Sequence, residues 1–397
     1  MSTDPRHRRR PVARLGGAAL VVCALAPSPA RAAAKVEFLP SVEAFYFRDG
    51  NPNVIGVSEA ENVARTQLNL DLESESPTTQ WLFNYSIYRE VYVDVSDLDN
   101  TGMWLSTSYS TDASRRASYD VRFFGVRTER QHIRRETIES PDTLLPRTTI
   151  DRFQLQADGR VETGQRSFIR WAGSGSIQNY EDLPDEGITY NDSDSVRAGL
   201  GWGYEVNRKV DLGVVYGYGR FTFEETPTTQ TNTLDIAASV ELGPRTELRA
   251  AAGLLVYEEG SFDDATPSFL LQIERGVSRG SSLLFGLRQG ISPGTGQGGA
   301  TEDYGGYVRW NYRPAREYRI DLSTTYWHRD RIGLDAGTGT EGFRTLSQLW
   351  WTPTDYLELG VFHIYNDQSS LDGGSSSGDT SYNTGGVNIR WDVRGRN

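Results

Sequence analysis

Leu234-Asp235-Ile236-Ala237-Ala238-Ser239-Val240-Glu241-Leu242 alternates without a break. One set of positions carries Leu234, Ile236, Ala238, Val240 and Leu242; the other carries Asp235, Ala237, Ser239 and Glu241. Successive side chains of an extended chain point to opposite faces, so this is a strand with one apolar and one polar face. The same period recurs at Arg65 to Leu72, Val196 to Tyr204, Tyr318 to Tyr326 and Val387 to Val393. No window has a convincing helical period. Strands are expected near 36–47, 62–73, 79–91, 102–110, 116–127, 149–158, 166–178, 195–205, 209–223, 232–242, 246–257, 267–276, 281–291, 303–313, 317–328, 342–352, 356–366 and 381–393.

The connections alternate too. In the second half Asn207-Arg208, Gly243-Pro244-Arg245, Ser278-Arg279-Gly280, Pro314-Ala315-Arg316 and Pro353-Thr354-Asp355 are tight. Between them lie longer polar stretches, 258–266, 292–302, 329–341 and 367–380. Short turns at one end and long loops at the other suit an all-β fold, a closed antiparallel transmembrane β-barrel of about 18 strands. The tight turns would then be periplasmic and the long loops extracellular. A soluble β-sandwich would also alternate. The unbroken pattern, the lack of a short repeat and the Tyr326-Trp327, Trp350-Trp351 and Trp310/Tyr312 clusters near strand ends favour the barrel, the clusters serving as an interface girdle.

Composition narrows the choice further. The 397 residues are 24% charged, and mean hydropathy is −0.53, too polar for a bundle of membrane helices. Residues 1–32 read as a cleaved signal peptide: five Arg within 6–14, an apolar run from Leu15 to Ala26, then Ala30-Arg31-Ala32. Residues 33–397 would form one barrel domain. The only cysteine, Cys23, lies in the apolar run, after Val22 rather than the small residue a lipidation site needs. The remainder has no thiol, which excludes disulfide frameworks, Cys nucleophiles and thiolate metal sites. Removing the leader takes the net charge from −12 to −17, unsuited to nucleic acid.

Catalysis and metal binding find little support. Three histidines remain, His132, His328 and His363, with Asp330 close to His328, but no nucleophile motif accompanies them. Glu181, Asp182, Asp185, Glu186, Asp192 and Asp194 offer hard oxygen ligands in loop 181–194, but their spacing matches no EF-hand, and a hydrated surface loop explains them. No cofactor and no enzyme activity are expected.

The faces opposite the apolar stripes are the informative ones. They carry Arg65, Asp71, Arg122, Arg152, Arg197, Asp211, Asp235, Glu241, Arg249, Arg288, Arg309, Arg319, Asp321 and Arg390. On the lipid side each arginine near mid-bilayer would cost about 2–4 kcal/mol, so these residues are expected to line a pore. Barrels of this size leave an aqueous channel unless plugged. The first strand begins almost at the cleavage site, leaving no room for a plug domain. That argues against a TonB-dependent transporter.

Thr384-Gly385-Gly386-Val387-Asn388-Ile389-Arg390-Trp391 resembles the last-strand assembly signal of Gram-negative outer-membrane β-barrels, although the chain continues to Asn397 instead of ending on an aromatic residue. Arg288-Gln289-Gly290-Ile291-Ser292-Pro293-Gly294-Thr295-Gly296, followed by paired strands with Arg-bearing turns, is similar to the β-barrel porins found with bacterial exopolysaccharide-export systems, over roughly the C-terminal third. The resemblance implies an outer-membrane pore for polysaccharide or other hydrophilic solutes, with no catalytic residue to carry over. It implies as partners the lipid and lipopolysaccharide of the outer membrane, the barrel-assembly machinery and polysaccharide-export proteins, and no nucleic acid. The alternative is a non-transporting barrel acting through its loops. In the porins the chain resembles, a long loop folds into the lumen. The 129–147 connection, with Arg130, Arg134, Arg135, Glu136, Glu139 and Asp142, would form such a constriction or else lie outside.

Overall fold

The computed structural model describes residues 35–50, 60–128, 148–181, 191–224, 226–293, 299–332, 339–370 and 380–393. The expected leader, the 129–147 connection and most of loop 181–194 lie outside these residues. The described residues form eighteen antiparallel strands: β1 Lys35–Asp49, β2 Glu61–Glu75, β3 Thr79–Tyr92, β4 Asn100–Ser114, β5 Ala117–Thr128, β6 Ile150–Glu162, β7 Ser167–Tyr180, β8 Ser193–Asn207, β9 Val210–Phe223, β10 Thr229–Gly243, β11 Thr246–Glu259, β12 Phe262–Ser278, β13 Ser281–Pro293, β14 Ala300–Tyr312, β15 Tyr318–Arg331, β16 Gly339–Thr354, β17 Leu357–Ser370 and β18 Thr380–Asp392. Each pairs with its neighbours in sequence, and β1 pairs with β18 from Ser41↔Asp392 to Asp49↔Thr384. This ladder closes the sheet and leaves it no free edge strand. The eighteen expected strands are therefore all present.

Register assigns the faces. Leu234 lies opposite Leu254, and Ile236 opposite Ala252 and Val214. Ile236 is 70% exposed and Leu254 53%. The alternate residues meet one another across strands they do not adjoin. Arg160 of β6 reaches Asp211 of β9 at 3.5 Å, Arg319 of β15 reaches Glu358 of β17 at 3.8 Å, and Phe47 of β1 packs on Phe362 of β17 with ring centroids 6.0 Å apart. Side chains two or three strands apart converge on the concave side of a curved sheet and diverge on the convex side. The charged faces therefore point inward and the apolar faces outward.

Two expectations need correction. The stretch 258–266 is not a long loop. β11 runs to Glu259, β12 starts at Phe262, and Gly260, at φ 63°, makes the turn. That left-handed conformation is available to glycine without steric cost, so the hairpin closes tightly. The girdle also loses members. Trp327 and Trp350 are buried inside, while Tyr326 and Trp351 face outward. Adjacent residues of a strand cannot share a face.

Interior aromatics lie flat on glycines of the next strand. Tyr88 is paired with Gly102, Phe168 with Gly203, Tyr307 with Gly286, Trp327 with Gly342 and Trp350 with Gly360. In each pair a Cβ on the glycine would overlap the ring. Gly342→Val is expected to push Trp327 off the wall and cost about 1–3 kcal/mol, the usual penalty of overpacking. Gly243→Ala, with nothing within 4 Å of the new methyl, is the control. Urea-unfolding midpoints in detergent would compare them, and equal midpoints would contradict the packing argument.

Candidate functional site

The interior surface is the candidate site, and its charges are organised in groups. On the β18–β3 side, Arg390 donates to Asp392 at 2.8 Å and Glu43 at 3.2 Å, and its guanidinium lies 3.6 Å from Asp71. Beside it Arg65 Nε donates to Glu90 Oε1 at 2.8 Å, and Asn100 donates to Glu90 Oε2 at 2.8 Å. On the β5–β11 side, Arg122 pairs with Asp120 at 2.6 Å and Arg249 with Glu247 at 2.7 Å. Arg160 holds Glu205 and Asp211 together, and Arg170 lies 3.5 Å from Asp211. Arg319 pairs with Asp321 at 3.0 Å. Bidentate guanidinium forks suit such multi-acid contacts better than ammonium groups would.

The remaining sequence-derived residues fall on the same inner face by register. Arg152 is paired with Gln178, Asp235 with Gly253, Glu241 with Glu247, Arg288 with Leu270 and Arg309 with Ser323. Asp235 accepts from Ser268. Arg197 donates to the backbone oxygen of Ile291 at 3.4 Å and lies 5.1 Å over the Phe221 ring. Among the described residues, Arg197, Arg288 and Arg309 have no carboxylate within 4.0 Å. The six residues assigned to a constriction, Arg130 to Asp142, lie outside the described residues.

Sequence reading missed Arg160, Arg170, Glu43, Glu90 and Glu205. Arg160 continues the period of Arg152 but lies beyond the expected strand end at residue 158. Its partners sit two and three strands away, which no local pattern reveals.

The interior is narrower than eighteen strands suggest. The five inter-strand steps from β8 to β13 span about 24 Å of wall at about 4.8 Å each, yet one arginine bridges them. The β6–β13 wall lines an open cavity of about 420 Å³. Two apolar clusters also occupy the interior. One joins Phe47, Val63, Tyr92, Leu346, Phe362 and Ile364 with Leu98, from a single 3₁₀ turn at Ser96–Leu98 between β3 and β4. The other joins Phe221, Phe223, Leu255, Tyr257, Ile291, Ala300 and Ile332.

The histidines do not form a site together. His328 Nε2 is 3.1 Å from Asp330, and its Nδ1 is 3.9 Å from Glu341. His363 is paired with Ser347, while His328 is paired with Glu341, about 20 Å away along β16 at about 3.3 Å per residue. No group of three or more metal-type side chains occurs among the described residues.

No family model matches the chain, and no curated protein does. Among solved structures it is similar to the outer membrane protein opdK of Pseudomonas aeruginosa (TM-score 0.45, 11% identity, 90% of this chain and 98% of that one). It is similar to Acinetobacter baumannii OccAB2 (0.46, 10%, 91% and 98%) and to the siderophore receptor PirA of P. aeruginosa (0.43, 10%, 90% and 80%). The fold stands on the strand order and ladders themselves.

Proposed function

We infer that the protein is an outer-membrane channel for small hydrophilic solutes. The observation that carries this is the separation of faces in a closed barrel: charge inside, an apolar surface outside. Trp202, Tyr204, Tyr318, Trp351, Tyr356 and Trp391 stand exposed near the tight-turn end, as an interfacial girdle requires. The fourteen inner charges would line the path. Lipid and lipopolysaccharide would surround the barrel, and the assembly machinery would insert it.

Swelling of proteoliposomes in arabinose, with single-channel recording, tests the reading. Permeation above that of protein-free vesicles is expected. Its absence would favour a barrel acting through its loops. Deleting residues 132–144 should raise conductance and alter cation/anion preference if that segment narrows the lumen. Unchanged values would leave the wall residues to set the pore. Polysaccharide passage rests on the resemblance at 288–296 alone. Oligosaccharides of increasing length in the same assay would decide it.

A further inference from the structure

The barrel wall has a seam. The β12–β13 ladder ends at Phe269↔Gln289. Beyond it, residues 262–268 of β12 pair only with β11, and residues 290–293 of β13 only with β14. The break falls beside Pro267, which has no N–H to donate, and Pro267 lies opposite Leu254 within the outer apolar face. Open strand edges are not tolerated against lipid unless they line a cavity. This one does. The 420 Å³ cavity is lined on one side by residues 268–270 and 289–291, which flank the last rung of the ladder and include Ser268, Gly290 and Ile291 of the open edges.

Side chains span the gap. Gln289 donates to Thr266 at 3.1 Å and to Glu302 at 2.9 Å, and Thr266 also donates to Glu302. Arg197 donates to the seam carbonyl of Ile291, and among the described residues no carboxylate lies within 4.0 Å of it, with Asp303 acting on it from further off. The cavity's other walls carry Phe221 and Leu255 beside glycines of β8 and β9, with Asp235, Gln156 and Thr231 among them. It thus offers a partly apolar chamber with Arg197 and Asp235 in its wall, beside a lateral exit held by side-chain hydrogen bonds and by the second apolar cluster.

We propose that the β12–β13 seam is a lateral passage between the lumen and the bilayer for an amphipathic organic anion, whose head group is taken by Arg197 and whose apolar body occupies the cavity. Such a molecule dissolves in the bilayer, so a side door serves it where an end-on pore does not. The proposal rests on the barrel spanning a membrane, and it goes beyond the hydrophilic channel.

A photoactivatable diazirine palmitate in proteoliposomes tests it. Adducts are expected on the inward residues Leu255 and Leu270, with outward Val214 and Ile236 as the internal standard. Tying the seam through Ser268→Cys/Gly290→Cys with a short bifunctional thiol reagent should suppress the inward adducts and leave arabinose permeation intact. Arg197→Gln should lower them about tenfold for palmitate, the worth of one charge-assisted hydrogen bond, but not for the matching diazirine alcohol. Adducts confined to outward residues, inward adducts that survive tying, or equal loss with acid and alcohol would each overturn the proposal. Failure of arabinose permeation alone would overturn the hydrophilic channel and leave the passage standing.

Discussion

Glu90→Ala is expected to destabilise the barrel by about 3–5 kcal/mol, the cost of stripping one partner from a buried ion pair. The Glu90 side chain is fully buried and that of Arg65 6% exposed. Arg65 sits between Phe45, Phe47 and Tyr88, with its guanidinium 4.4 Å from the Tyr88 centroid. Removing Glu90 leaves that cation with ring faces and no counter-charge, and leaves Asn100 without its acceptor. Cation–π contacts return only about 0.5–2 kcal/mol of this loss. Arg65→Met/Glu90→Leu should recover most of the stability, because replacing both ions by apolar groups removes the desolvation penalty along with the attraction. Urea unfolding of the refolded barrel in detergent compares the three proteins. If the double variant is no more stable than Glu90→Ala, the pair stabilises through packing and not through charge.

The strand count was legible because period two persists wherever one face is apolar and the other polar. Boundaries were less so. Strands extend past the apolar band, where both faces are polar and the alternation has no amplitude. Asp263, Asp264 and Thr266 read as a loop for that reason, yet they continue the β11 ladder through the Gly260 turn. Facing was legible for Asp235 and Arg319, whose strands carry a clear apolar stripe. It failed for Trp327 and Trp350, because an aromatic pair at a strand end signals an interface without saying which ring faces it. Charge partners were not legible. Arg390 gathers Glu43 of β1 and Asp71 of β2, residues that only closure of the barrel brings near it. The seam was hidden for the same reason. Pro267 marks a weak point in a strand, but whether the ladder stops there depends on what β13 presents to it.

Leu254→Arg is expected to cost about 2–4 kcal/mol, and Arg249→Leu to change stability by no more than about 1 kcal/mol. The two residues share β11, and both are register-paired on each side, Leu254 with Leu234 and Pro267, Arg249 with Ser239 and Gln272. Backbone context is therefore matched, and facing is what differs. Leu254 stands out from the wall among apolar neighbours, so an arginine there must leave water or snorkel toward an interface. Arg249 points inward, is half exposed, and contacts Glu247 on its own strand at 2.7 Å. Such an exposed pair contributes little, and its loss leaves Glu247 free to hydrate. Reversible unfolding from lipid vesicles measures both variants on one scale. In detergent micelles the Leu254→Arg penalty should shrink, since a micelle deforms around a guanidinium more readily than a bilayer does. Equal tolerance of both substitutions in vesicles would mean that the outer face of β11 does not meet lipid, and the membrane-spanning reading would fall with it.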